Sequence, residues 1–327
     1  MPVIESTLEP LNYNDILLLP QSSNIESRDS INLYNELGYI PIFSAPMKNI
    51  SELDVVIELG KLGGIGTLHR FFDRTEEKYG AVEEIGKHDY PYGISIGVND
   101  WENELKYTKY AVEHNCGFVT IDTASGYLKK TLDAVETLNN YRQVNNLYFK
   151  IICGNVCDAT GCINLAKVGT DIIRINIGTG LQCLTSKSIG IGCPPLTAIE
   201  NCVEAKKLFP NIMLLADGGI YTPGDGIKAL CFGSDGLMIG SLFGRAKETN
   251  NNGIIYGMSS YKLQDRMNKS RKSNEGTVTI IPKEEIRTLA DIFNEFTYGL
   301  KSAMTYLGID DINKIHDTEI EYIRTRQ

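Results

Sequence analysis

Short, uninterrupted apolar runs recur along the chain, each followed by a stretch whose apolar positions fall on one face of a helix. The runs cover residues 40–45, 64–68, 92–97, 117–122, 148–153, 171–177, 212–217 and 235–240. They do not alternate with polar residues, which is the pattern of strands covered on both faces. The helical stretches cover residues 52–62, 102–114, 128–139, 159–168, 196–209 and 224–231, with room for one more helix between 68 and 92. Successive runs lie about 20 to 40 residues apart, one βα unit each, so the pattern predicts a parallel sheet joined by crossover helices.

Eight such units predict an α/β fold of the closed (β/α)8 type, a TIM barrel. A doubly wound sheet would carry a Gly-rich dinucleotide turn after its first strand, and Ala45-Pro46-Met47 is not one. The chain has 327 residues, more than the roughly 250 of a typical barrel, and the pattern assigns the excess. Residues 1–39 form an N-terminal arm expected to cover the bottom of the barrel or to make a small hairpin. The core takes residues 40–245. Residues 246–283, polar and rich in Asn, Ser and Lys, form a flap after strand eight, expected to be a lid over the active face. Residues 284–327 supply a closing helix, expected at 288–306, and a tail. No stretch is left for a second domain, so residues 1–327 are expected to be a single domain.

Composition narrows the partners. Asp and Glu total 41 against 32 Lys and Arg, a net charge of −9, which argues against a nucleic-acid polymer or an anionic membrane, since both need a basic stripe. A small anion can still be held locally by backbone amides. No apolar run approaches the 18 residues of a membrane span, and Glu5 and Glu9 stand where a signal peptide would be basic and then apolar, so a cytoplasmic location is expected. Eight cysteines, at 116, 153, 157, 162, 183, 193, 202 and 231, are read as reduced thiols. Cys153, Cys157 and Cys162 have no second Cys/His pair at zinc-finger spacing.

In a barrel, chemistry belongs where strands end. Met47 and Lys48, His69 and Arg70, Asp122, Gly154 and Asn155, the turn at 178–183, Asp217 and Gly240 all lie at or just after the ends of the predicted strands. The turn Ile177-Gly178-Thr179-Gly180-Leu181-Gln182-Cys183-Leu184-Thr185 delivers a cysteine to the barrel mouth behind two glycines. A Cys183 thiolate there could attack an electrophilic ring carbon and Thr185 could relay a proton. The carbonyls of Gly178, Gly180 and Cys183 could ring a monovalent cation. Asp217-Gly218-Gly219 and Gly240-Ser241 end strands seven and eight, the usual phosphate loops of this architecture. A carboxylate would repel the phosphate itself, so Asp217 is read as an acceptor for ribose hydroxyls.

These segments resemble the IMP dehydrogenase/GMP reductase family over nearly the whole length. Leu11-Asn12-Tyr13-Asn14-Asp15-Ile16-Leu17-Leu18, Gly154-Asn155-Val156, the cysteine loop, Asp217-Gly218-Gly219 and Tyr256-Gly257-Met258-Ser259-Ser260 carry the resemblance. The stretch from Gly190 to Leu196, Pro223-Gly224-Asp225, the Gly-Met-Ser-Ser form and Asn274-Glu275-Gly276 are most similar to its reductases. The Arg-Tyr pair that dehydrogenases use to activate water has no counterpart, and neither has their regulatory insert after strand two.

The resemblance implies an NADPH-dependent oxidoreductase, possible K+ binding and a homotetramer. Cys183 would add to C2 of GMP and release ammonia, with Thr185 and Glu275 protonating the departing amine. Asp217, Gly218, Gly219, Gly240 and Ser241 would hold ribose and phosphate; Gly257, Met258, Ser259 and Gly276 would line the base, with Arg271 or Lys272 as the flap cation that touches GMP. Arg70, Asp122, Thr123, Ala124 and Ile177 would meet the cofactor, joined by Ser27, Arg28, Ser302 and Thr305, partly from a neighbouring subunit. The sequence departs from the family at Thr179 (Pro), Leu181 (a Ser that contacts phosphate), Lys48 (Asp) and Arg70 (Lys). Lys48 either compensates an altered anion or is a solvated rim residue. Alternatives left open are a reductase of a modified purine nucleotide, an IMP dehydrogenase-like enzyme, a non-catalytic nucleotide-binding barrel and a flavin barrel.

Overall fold

The computed structural model describes residues 9–180, 185–257 and 276–325, and of Thr185 only the backbone. Eight parallel strands form the barrel: β2 (Ile42–Ser44), β3 (Gly66–Leu68), β4 (Tyr92–Ile96), β5 (Cys116–Ile121), β6 (Lys150–Val156), β7 (Ile172–Ile175), β8 (Met213–Asp217) and β9 (Gly236–Ile239). Each pairs with its sequence neighbour from β3 to β9, and β9 returns to β2. The Ile65 amide donates to Ile42 O (2.9 Å) and the Ser44 amide to Ile65 O (3.0 Å), closing the ring between β2 and β3. All eight apolar runs are strands of a (β/α)8 barrel, as the absence of alternation predicts.

Helices α1 (Leu53–Lys61), α2 (Thr75–Ile85), α3 (Trp101–Glu113), α4 (Lys129–Val144), α5 (Ala159–Lys167), α6 (Thr185–Ile189), α7 (Pro195–Val203), α8 (Pro223–Cys231) and α9 (Leu289–Leu307) surround it. α2 fills the room left between 68 and 92. α7 is shorter than expected, since residues Glu204–Lys207 tighten into a 3-10 turn. Thr288 caps α9, its hydroxyl accepting from the Asp291 amide.

Two apolar layers hold the barrel. One lies between sheet and helices; the other fills the lumen with Phe43, Phe118, Ile152, Ile172, Leu215 and Met238. Tyr39 plugs the bottom, edge-on to Phe43 and Phe118 with ring centroids 6.0 and 5.6 Å apart. Gly66 shows how tightly α1 lies on β3: a Cβ there would stand 2.4 Å from Val56 Cα. Gly66→Ala is therefore expected to cost about 1–3 kcal/mol by overpacking. Urea unfolding should show a lower midpoint with unchanged slope.

The arm differs from expectation. Its described residues form no hairpin of their own: β1 (Ile16–Leu18) pairs antiparallel with β12 (Tyr322–Arg324) of the C-terminal tail. Three residues are too few to fold back, and their partner lies at the other end of the chain. The later part of the arm covers the bottom, through Tyr39 and the bridge between Asn32 and Asp311. Leu11, earlier in the arm, lies at the opposite face, where its carbonyl accepts from the Leu196 amide. In the flap, β10 (Ile254–Tyr256) and β11 (Val278–Ile280) form an antiparallel ladder.

Candidate functional site

Side chains alternate across a strand, so the residues two or four beyond the apolar lumen layer face the same side higher up. Above Phe118, Ile172 and Leu215 stand Asp122, Arg174 and Asp217. Polar chemistry thus begins where the apolar plug ends. Arg174 Nε and Nη2 donate to Asp217 Oδ2 at 2.9 and 2.7 Å, and Asn155 Nδ2 donates to the same oxygen at 2.9 Å. Arg174 Nη1 stands 4.0 Å from Asp122 Oδ1, while Arg70 Nε donates to Asp122 Oδ2 at 2.9 Å. Two arginines and two aspartates alternate across the mouth. Burial works against the Arg174 charge, but Asp217 and Asp122 outweigh it and hold the guanidinium above its ordinary pKa.

Arg174 is the member that sequence reasoning missed. Its signal is a lone charge inside the apolar run Ile172-Ile173-Arg174-Ile175. Gly154 and Asn155, expected after a strand, lie within β6, where the register with β7 shifts between Gly154 and Val156. That shift lets Asn155 reach both Asp217 and the Asn176 carbonyl, the latter at 2.8 Å.

The cysteine loop leaves β7 beside this array. The Cys193 amide donates to Ile177 O at 3.2 Å and Ser186 Oγ to Gly178 O at 3.2 Å. Gly218, at φ +93°, lies against the loop so closely that a Cβ would stand 3.1 Å from Thr179 Oγ1 and 3.3 Å from Gly180 N. Only glycine fits both that angle and that gap. The segments expected to carry the nucleophile and to hold the ribose are therefore packed on each other. Beside them opens a cavity of about 700 Å³, lined by Asn12 and Tyr13 of the arm and by Gly178, Thr179, Cys193 and Gly219.

Gly240 faces Met47, whose sulfur would be 3.3 Å from a Cβ there, which places the strand-eight end beside the strand-one end; Ser241 follows it. Lys48 Nζ is paired with Asp73 at 2.9 Å, with Asp73 82% exposed, so Lys48 is a rim residue in an ion pair. His69 is fixed from both sides: Nδ1 accepts the Phe71 amide at 3.0 Å, which leaves Nε2 to donate to Glu52 at 3.0 Å. Burial pushes the Glu52 carboxyl up, but His69, the Asn49 amide and Lys48 together hold it below its ordinary value. His69 orients the rim.

Some of the other expected site residues are not brought here. Arg28 lies over the Tyr298 ring at 5.7 Å, and Ser302 and Thr305 follow Tyr298 on the second half of α9, which runs toward the strand N-terminal face. Ser27 caps the turn that begins at Arg28. Thr123 reaches toward Gly154 O and Thr131 beside the mouth, with Ala124 next in sequence. In the flap, the Gly257 amide donates to Thr277 O at 2.8 Å, with Gly276 adjacent. Cys183, Met258, Ser259, Arg271, Lys272 and Glu275 lie outside the described residues, and Thr185 opens α6.

The sequence of residues 10–327 matches the description "IMP dehydrogenase / GMP reductase domain". The chain belongs to the IMP dehydrogenase/GMP reductase family. By both names this is a family of oxidoreductases. The chain is 28% identical to a GMP reductase of Onchocerca volvulus, over 96% of this chain and 91% of that protein. It is 28% identical to a GMP reductase of Lacticaseibacillus casei, over 97% and 95%. An IMP dehydrogenase of Aquifex aeolicus is 29% identical over 82% of this chain but only 56% of its own length. Among the described residues, no helix is long and apolar enough to cross a membrane.

Proposed function

We propose that this protein is a GMP reductase, converting GMP to IMP and ammonia at the expense of NADPH. The observation that carries the reading is the packing of Thr179 and Gly180, the root of the Cys183 loop, directly onto Gly218, beside the carboxylate of Asp217. A ribose held at Asp217 then brings its base to the loop that carries the thiol. Arg174 and Asn155 load Asp217 Oδ2 with three donors, which leaves Oδ1 for sugar hydroxyls.

In this reading Cys183 adds to C2 of the purine and the exocyclic amine leaves as ammonia, protonated through Thr185 and Glu275. NADPH, when bound, supplies a hydride to C2, after which the cysteine departs. Asp122 suits the cofactor's ribose, since Arg70 occupies Oδ2 and Oδ1 keeps only the distant Arg174. Carbonyl oxygens at Gly178, Gly180 and Cys183 suit K+, and Gly178 O keeps a lone pair beyond the bond from Ser186. Ser27, Arg28, Ser302 and Thr305, away from the mouth in one subunit, are assigned to a neighbour's cofactor in a homotetramer.

A paired absorbance assay tests the reading. Mixing protein, NADPH and GMP should consume NADPH, and IMP with NAD+ should yield no NADH. The reverse pattern would make the protein a dehydrogenase. Leu181, where the family has its phosphate-contacting Ser, favours a second reading on a modified purine nucleotide. Replacing GMP by analogues altered at the phosphate separates the two.

A further inference from the structure

Two pairs of cysteines lie thiol to thiol outside this chemistry, and they differ in access. Cys157 follows the last residue of β6 and Cys193 lies between α6 and α7; their side chains hydrogen bond to each other and both are half-buried. Cys162 of α5 and Cys202 of α7 are likewise in contact, but each is 0% exposed. Backbone bonds set the first pair on either side of residue 177: the Asn176 amide donates to Val156 O at 3.0 Å, and the Cys193 amide to Ile177 O at 3.2 Å. Along the sequence, residues 178–192 connect Ile177 to Cys193, with Cys183 between. Cys157 is thus a fixed point just past the end of β6 against which Cys193 rests.

The two thiols are not equivalent. The hydrogen bond from Cys157 holds the Cys193 thiol below its ordinary pKa, against the effect of burial; the same bond, then burial, pushes Cys157 up. A half-exposed thiol with enhanced thiolate character beside a second thiol is the arrangement of a reactive and a resolving cysteine.

We propose that Cys157 and Cys193 are a reversible disulfide-forming pair that, on meeting a peroxide, pins the segment carrying Cys183 to the end of β6. The Cys193 thiolate attacks one oxygen of hydrogen peroxide, becoming a sulfenic acid and releasing hydroxide. Cys157 sulfur then displaces hydroxide from that sulfur and the S–S bond forms. The protons of the two thiols leave with the two hydroxides, so two thiols and one peroxide give one disulfide and two waters. A thiol reductant returns both electrons. Only the effect on turnover rests on the proposed function; the bond itself does not.

The test uses the full-length protein, hydrogen peroxide at low molar excess, alkylation without reduction and peptide mass mapping. A linked Cys157–Cys193 peptide pair is expected, lost on adding dithiothreitol, with Cys162 and Cys202 unlinked. Turnover should fall by about threefold or more, because the bond ties Cys193, which lines the cavity, to the end of β6; it should recover with dithiothreitol and be spared in a Cys157→Ser variant. Alkylation of both Cys157 and Cys193 in protein oxidised elsewhere overturns the proposal. Unchanged turnover in linked protein, or equal loss in Cys157→Ser, overturns the pinning. A link that forms in protein with no GMP-dependent turnover before oxidation supports the pair while removing the proposed function.

Discussion

Cys183→Ala is expected to lower GMP-dependent NADPH oxidation by on the order of 10³-fold or more while GMP still binds, because in the proposed mechanism the nucleophile forms the bond that makes ammonia a leaving group. Such a loss corresponds to about 4 kcal/mol of transition-state stabilisation. The check is a pair of measurements on one preparation: steady-state turnover, and calorimetric GMP affinity. The contacts assigned to ribose and phosphate, at Asp217, Gly218, Gly219, Gly240 and Ser241, do not involve the thiol, so affinity is expected to stay close to that of the wild type. A variant that turns over normally removes covalent catalysis from the account. Lost affinity as well would instead give the cysteine a binding role.

The second large effect is expected at Arg174. Its guanidinium is 11% exposed and joins Asp217, itself 13% exposed, to Asp122. Removing one member of a buried pair leaves the other charge uncompensated, which costs about 3–5 kcal/mol, whereas an exposed pair such as Lys48–Asp73 is worth at most about 1 kcal/mol. Arg174→Met should therefore lower the urea midpoint by an amount of the first kind and raise KM for GMP. Arg174→Lys keeps the charge but cannot offer two nitrogens to one carboxylate. It is expected to recover part of the stability and less of the KM. If Arg174→Met matched the wild type in both, the array across the mouth would be a bystander.

The barrel was legible because each parallel strand is covered on both faces and so reads as an unbroken apolar run. Asp122 and Asp217 could be placed at the mouth because each stands at the end of such a run, where a barrel carries its chemistry. Arg174 escaped because a charge inside an apolar run looks like a flaw in the pattern until its partners on β8 and after β5 are known. The pairing of β1 with β12 escaped for another reason. Three-residue strands at opposite ends of the chain carry no local period, and only tertiary packing selects one for the other. Gly154 and Asn155 were read as a loop from their composition, but the shifted register with β7 keeps them in the strand. The cysteines carried least information, since nothing in their spacing says that Cys157 and Cys193 meet across residue 177.

In the proposed reaction, hydride reaches C2 of a guanine nucleotide held at Asp217 beside the Cys183 loop. The most direct test is to incubate the protein with GMP and NADPH dideuterated at nicotinamide C4, and to weigh the purine product. The account predicts IMP carrying one deuterium, at C2, with one ammonia released for each NADPH oxidised. Unlabelled IMP, or GMP recovered unchanged while NADPH is consumed, would contradict it.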